Sequence, residues 1–250
     1  MKYMILLNGV KIIPTMFPDK TSQIWKLSDS DTTDKCNEIR WEYEHESELF
    51  HICQLADLIQ SMGKACYLKM DYLPYGRQDK EIDNKNSFAL YTFAKIINSC
   101  HFVLVTFMDG HSKIAEDLIH NAINLFPSKY IQFAIDSLDN PVLAYPDTGA
   151  FIRYSKVYGK NAILGKKVRD SKTGYISHYE IQGDPENKNI LMVDDIIDGG
   201  MTFKIMARDL ISYGTKSVHL YATHGIFSKG TQTLRDSGIE RIFTSKGEIK

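Results

Sequence analysis

The segment from Ile190 to Tyr213 restricts this chain more than any other. An apolar run, Ile190-Leu191-Met192-Val193, meets Asp194-Asp195-Ile196-Ile197-Asp198-Gly199-Gly200-Met201-Thr202 and passes into a helical pattern ending near Tyr213. Strand, glycine turn and helix in that order lay out an anion site. Gly199 and Gly200 take positive φ at little cost, so successive backbone N–H groups converge at the positive end of the helix. Thr202 adds a hydroxyl donor. Asp194 and Asp195 fall at the carboxyl end of the strand, where open α/β sheets bind ligands, and their oxygens accept hydrogen bonds from sugar hydroxyls. A sugar phosphate satisfies both halves; the plain alternative is an acidic turn that caps a helix or holds a cation.

The rest of the chain repeats this alternation. Strand-like Ala65–Met70, helical Phe88–Asn98, strand-like Phe102–Phe107, helical Ile114–Leu125 and strand-like Tyr130–Ile135 form one series. Pro141–Tyr145, a helix from Gly149 to Tyr158, Asn161–Leu164, Ile190–Val193, a helix from Thr202 to Tyr213, Ser217–Thr223 and a last strand near Arg241–Thr244 form another. This pattern predicts two α/β domains, each with a mainly parallel sheet flanked by helices. The 250 residues divide into two lobes of ordinary size, and the polar stretch Asp136–Asn140 puts the boundary near 137, giving domains 1–137 and 138–250. Arg169–Tyr175, charged and rich in Ser and Gly, reads as a mobile loop.

Charge and composition exclude several classes. Lys plus Arg total 30 against 31 for Asp plus Glu, a formal charge of −1, which leaves no electrostatic footprint for nucleic acid or an anionic membrane. No apolar run approaches the ~20 residues that span a bilayer. The opening MKYMILLNGVKIIP reads as a first strand, not a signal peptide. Cys36, Cys53, Cys66 and Cys100 are widely spaced without a C-x-x-C pair or nearby paired histidines, which suits reduced thiols in a cytoplasmic protein.

Further clusters suggest a nucleotide. In Pro74-Tyr75-Gly76-Arg77-Gln78-Asp79-Lys80-Glu81, Arg77 offers a planar fork for phosphate or for stacking on adenine, and Gln78 offers a donor and an acceptor to a base edge. Without the preceding Pro-Tyr the same charges would read as a solvated turn. Asp147, in Tyr145-Pro146-Asp147-Thr148-Gly149-Ala150, precedes a helix and suits an N-cap.

Taken together, these blocks resemble the ribose-phosphate diphosphokinases, whose domains have the type I phosphoribosyltransferase fold. The acidic segment is similar to their DD-x-x-D-T-G-G-T loop, with Gly199 at the Thr position and Met201 at the second small residue. Residues 74–80 resemble P-Y-x-R-Q-D followed by Arg or Lys. Thr106-Phe107-Met108-Asp109-Gly110-His111 resembles a D-L-H segment, Ala222-Thr223-His224-Gly225-Ile226-Phe227-Ser228 an A-T-H-P segment followed by Ile or Val, Phe or Leu, and Ser, and Phe17-Pro18-Asp19-Lys20-Thr21, more distantly, F-x-D-G-E.

The resemblance implies transfer of a diphosphoryl group from Mg-ATP to ribose 5-phosphate, giving phosphoribosyl diphosphate and AMP. It implies ATP contacts from Phe17, Asp19, Arg77, Gln78, Asp79 and His111, and Mg2+ at His111 and Asp147. Ribose 5-phosphate would lie on Asp147, Asp194, Asp195, Asp198, Gly199, Gly200, Met201 and Thr202. Lys166, in Gly165-Lys166-Lys167-Val168-Arg169, matches the catalytic lysine of D-K-R-R-P, and the family arginine falls on Val168 or, shifted by one, on Arg169. His224 is implied as a wall of the site. A homo-oligomer, dimer or hexamer, is also implied. Two alternatives stay open: a phosphoribosyltransferase using a nucleobase, and a non-catalytic regulatory relative.

Overall fold

The computed structural model describes residues 4–81, 83, 85–169 and 176–250, without the side chains of Asp29 and Arg169. Residues 170–175 of the stretch read as a mobile loop lie outside them. The chain divides into two compact units, Met1–Phe126 and Pro127–Lys250.

The first unit comprises β1 (Ile5–Leu7), β2 (Val10–Ile12), the small hairpin β3 (Thr15–Met16) and β4 (Ser22–Gln23), β5 (Asn37–Trp41), α1 (Ser47–Ser61), β6 (Cys66–Met70), α2 (Ala89–Ser99), β7 (Val105–Met108), α3 (Ile114–Leu118) and β8 (Ala122–Leu125). Its six-stranded sheet runs β2-β1-β5-β6-β7-β8, parallel from β5 to β8 and antiparallel where β1 meets β2 and β5. Apolar residues alternate on β5 and β6, so Ile39, Trp41, Leu68 and Met70 are buried with α1 and α2 residues such as Leu55 and Phe93.

The second unit comprises α4 (Ser128–Asp136), β9 (Val142–Tyr145), α5 (Thr148–Tyr158), β10 (Ile163–Arg169), β11 (Ile176–Gln182), β12 (Asn189–Ile197), α6 (Met201–Ser212), β13 (Ser217–Gly225), α7 (Gln232–Arg235), β14 (Ile239–Thr244) and β15 (Gly247–Ile249). Its sheet runs β11-β10-β9-β12-β13-β14-β15, with parallel pairs from β10 to β14 and antiparallel β11 and β15 at the edges. Ile190, Leu191, Met192 and Val193 are all wholly buried, as a central strand covered on both faces requires. Ile190 and Met192 join the core under α6, whereas Leu191 and Val193 join the core of α4 and α5. Phe203, Met206, Ala207 and Leu210, at helical spacing, form the buried stripe of α6.

Two expectations along the chain are corrected. Tyr130–Ile135, read as a strand, lies in α4, because Ile131 and Ala134, three apart, are the positions buried against Tyr145, Tyr154 and Phe243. Ile114–Leu125, read as one helix, is a short helix followed by strand β8; Asn121, left-handed at φ 54°, stands between them. With α4 packed on the second sheet, the division falls after Phe126 rather than near residue 137.

Candidate functional site

The cradle begins where β12 leaves the sheet. Gly200 occupies the N-cap of α6 with φ 72°, a left-handed conformation natural to glycine. A Cβ there would lie 2.6 Å from Leu234 Cδ2. Gly199, expected to share the positive φ, does not; its empty side faces the stem of Lys229, whose Cδ and Cε lie 3.7 Å from a hypothetical Cβ. The N–H of Ile226 donates to the carbonyl of Ile197 at 2.8 Å, tying the loop after β13 to this turn. In register, Ile196 stands beside His224. Asp198 and Met201 are exposed, and Thr202 is half-buried in the first turn of α6.

The acidic residues gather at the carboxyl ends of the neighbouring strands β9 and β12. Asp195 is buried, and Arg153 from α5 brings Nη1 to 3.1 Å from its Oδ1. Asp194 Oδ1 accepts from the N–H of Asp195 at 2.9 Å. Desolvation, then the charge of Asp195, then that of Asp147, holds the Asp194 carboxyl well above the usual carboxylate range.

Asp147 caps α5: its Oδ1 accepts from the N–H of Ala150 at 3.0 Å, and its Oδ2 lies 2.8 Å from Lys167 Nζ. Burial pushes its pKa up, yet the Lys167 hydrogen bond and the backbone N–H groups prevail and hold it below the ordinary value. Lys166, one residue earlier on β10, is mostly exposed and pairs with Glu180 across the β10–β11 ladder at 3.4 Å. The register of that ladder shifts between Val168 and Arg169.

In the first unit, the 74–80 loop follows β6. Tyr75 is left-handed at φ 62°, and the N–H of Gln78 donates to its carbonyl at 2.9 Å. The N–H of Leu90 then donates to the carbonyl of Gln78 at 3.2 Å, fastening the loop to α2. Arg77 and Gln78 are exposed side by side, whereas Asp79 is buried, so it is not presented with them. His111 is exposed just past β7. The preceding turn holds Asp109 at φ 49°, and the N–H of Gly110 donates to Asn124 Oδ1 at 2.9 Å. Phe17 is partly exposed on the β3–β4 turn. Asp19 there accepts from Thr21 N–H at 3.0 Å and from its hydroxyl at 2.7 Å.

The side chains alone do not enclose a metal ion. Magnesium is ordinarily held by one or two carboxylates together with substrate phosphates and water, and here both Asp147 oxygens are engaged, one by a helix cap and one by Lys167. Among the described residues no group of three or more His, Cys, Asp or Glu could hold a metal ion. His111 belongs to the first unit and Asp147 to the second.

Three residues of the cradle escape a sequence reading: Arg153, Lys167 and Lys229. Arg153 meets Asp195 because β9, which leads into α5, pairs with β12, and nothing in the spacing of residues 153 and 195 announces that adjacency. Strand alternation in Gly165-Lys166-Lys167 puts the two lysines on opposite faces, but only the register decides which meets Asp147.

No family model matches the chain. Over 242 residues it is 29% identical to a ribose-phosphate pyrophosphokinase of Pyrococcus furiosus, covering 93% of this chain and 82% of that protein. Over 214 residues it is 27% identical to the protein of that name from Pyrococcus abyssi, covering 83% and 72%. Ribose-phosphate pyrophosphokinase 4 of Saccharomyces cerevisiae is 30% identical over 203 residues, 78% of this chain and 60% of that protein. The fold resembles phosphoribosylpyrophosphate synthetase from Mycobacterium smegmatis, with TM-score 0.75, 17% identity and coverage of 92% and 78% of the two chains.

Proposed function

We propose that this chain, which is similar over most of its length to ribose-phosphate pyrophosphokinases, transfers the diphosphoryl group of ATP to the 1-hydroxyl of ribose 5-phosphate. The products are 5-phosphoribosyl 1-diphosphate and AMP. The observation that carries the proposal is the join of β12 to α6. There, two carboxylates able to accept from sugar hydroxyls stand beside a left-handed glycine and the positive end of a helix able to hold a phosphate.

In this reaction the anomeric oxygen attacks the β-phosphorus, the bond from that phosphorus to the α,β-bridging oxygen breaks, AMP leaves and the hydroxyl proton is released. Positioning and fixed charge supply most of the acceleration in such transfers. Asp194 and Asp195 orient the ribose hydroxyls. Residues 198–202 hold the 5-phosphate through backbone N–H groups and the Thr202 hydroxyl, with the Lys229 stem alongside. Arg77 and Gln78 take the nucleotide, with Phe17, Asp19 and His111 as its further contacts. Asp79, being buried, supports that loop from within. Lys166 supplies positive charge to the moving diphosphoryl group. Magnesium would arrive on the oxygens of ATP, since the side chains here do not form a cage for it.

Incubation with ATP, magnesium and ribose 5-phosphate, followed by chromatography of AMP, tests the proposal. Sugar-dependent AMP is expected; its absence, or a requirement for a nucleobase in place of ATP, overturns the reading. Among the described residues no helix is long and apolar enough to cross a membrane. A cytoplasmic homo-oligomer is part of the same proposal.

A further inference from the structure

We propose that Arg153 is a positioning residue for the sugar-phosphate site, holding the Asp195 carboxylate in the orientation in which it accepts a hydrogen bond from a ribose hydroxyl. The assignment rests on the reading of that site given above.

Asp147, Asp194 and Asp195 crowd the ends of two adjacent strands, and a sugar phosphate adds negative charge to them. A buried carboxylate in such surroundings is costly when its cationic partner is removed, because an uncompensated charge is left behind. Arg153 Nη1 lies 3.1 Å from Asp195 Oδ1, with the two side chains only 20% and 5% exposed. The pair is therefore largely withdrawn from water, so its attraction is little screened by solvent or salt.

Helix α5 makes this contact a link between two ligand groups. Its N-cap is Asp147, anchored by the N–H of Ala150, and Arg153 projects from its second turn to Asp195. Beside Arg153, the buried Tyr154 stacks on Tyr145, the last residue of β9, with centroids 6.2 Å apart and planes at 11°. The helix that sets Asp147 is thus seated on the strand leading to Asp147 and also sets Asp195. A sugar spanning both carboxylates would meet them at one fixed separation.

The test is a double-substitution cycle read by calorimetric titration with ribose 5-phosphate on Arg153→Gln, Arg153→Lys, Asp195→Asn and Arg153→Gln/Asp195→Asn. Arg153→Gln is expected to weaken ribose 5-phosphate binding about tenfold, leaving the KM for ATP within about twofold. Arg153→Lys should recover much of the loss. In the Asp195→Asn background, Arg153→Gln should cost nothing further, because the carboxylate it positions is gone. A merely structural arginine would lower the melting temperature and leave the folded protein's sugar-phosphate affinity unchanged; that result, or losses that multiply in the double variant, overturns the assignment. Should Arg153→Gln fail to fold, Arg153→Met with and without Asp195→Asn gives the same cycle. If the wild type binds no ribose 5-phosphate, the functional reading falls and this assignment with it. If the wild type binds and Arg153→Gln binds equally well, only the assignment falls.

Discussion

Leu234 closes over Gly200 so tightly that a methyl group on the glycine would stand 2.6 Å from Leu234 Cδ2. The glycine is also left-handed, so conformation and space both exclude a side chain. Gly200→Ala should lower stability by about 1–3 kcal/mol in denaturant titrations and raise the KM for ribose 5-phosphate by moving the start of α6. Gly199→Ala meets only an ordinary contact with the Lys229 stem and should stay within about 0.5 kcal/mol of wild type. Equal losses for the two would show that the turn does not depend on the Gly200 conformation.

The contrast between these glycines marks how far the sequence was legible. Strand, acidic pair, glycine turn and helix were readable because each imposes its own local pattern, and β12 and α6 lie within a few residues of the expected bounds. Which glycine turns left-handed was not, because both fit the same local pattern and the packing around the turn, with Leu234 more than thirty residues on, lies outside it. The same holds for α4: Ile131 and Ala134 fit a short apolar run of either type until Tyr145 and Phe243 are seen to bury one face. Edge strands β11 and β15 carry too little apolar alternation to declare themselves, and Arg153 and Lys167 owe their roles to sheet neighbours.

Asp194 gives the cradle a pH dependence. Its folded pKa is raised, so the stabilisation from its protonated form is fully present below the ordinary value of 3.8 and is lost as pH rises through the folded value. Asp194→Asn should therefore melt above wild type at neutral pH, with the difference closing below about pH 4. The same variant should weaken ribose 5-phosphate binding at pH values where Asp194 is ionised, since its amide replaces an acceptor-only group with a mixed one. Parallel melting curves at every pH would remove the desolvated carboxyl from the account.

Lys229 lays its methylene stem beside Gly199, where the resembling loop carries a threonine. Lys229→Met should raise the KM for ribose 5-phosphate about three- to tenfold and steepen no other constant, consistent with loss of one exposed charge contact. Being exposed, it should leave the melting temperature unchanged. An unaltered KM would show that its charge points away from the phosphate.

Arg77 is exposed on a loop fastened at both ends, by the Tyr75–Gln78 turn and by the Gln78–Leu90 hydrogen bond. A fork held on such a base loses little freedom on binding. Arg77→Ala should raise the KM for ATP by about ten- to a hundredfold and leave ribose 5-phosphate affinity alone. The reverse pattern would assign the first unit's loop to the sugar.

The two adjacent lysines of β10 should separate chemistry from architecture. Lys166 is 65% exposed and, among the described residues, pairs with half-exposed Glu180, a surface pair worth little to stability, so its charge is available to a ligand. Lys167 is 25% exposed and holds Asp147 at 2.8 Å, where its loss would leave the α5 cap without its counter-charge. Lys166→Ala should lower kcat by about 10²–10³, as for loss of one preorganised charge facing the transition state. Both substrate affinities and the melting temperature should stay near wild type, because the interaction strengthens only as the diphosphoryl group moves. Lys167→Ala should instead lower the melting temperature and raise the KM for ribose 5-phosphate through Asp147, with a smaller change in kcat. Exposed Lys156 on α5, changed to Ala, serves as the neutral comparison. If Lys167→Ala abolishes turnover in a stably folded protein while Lys166→Ala retains normal kcat, the transferring group faces the Asp147 side of β10, and the cation that serves it is Lys167.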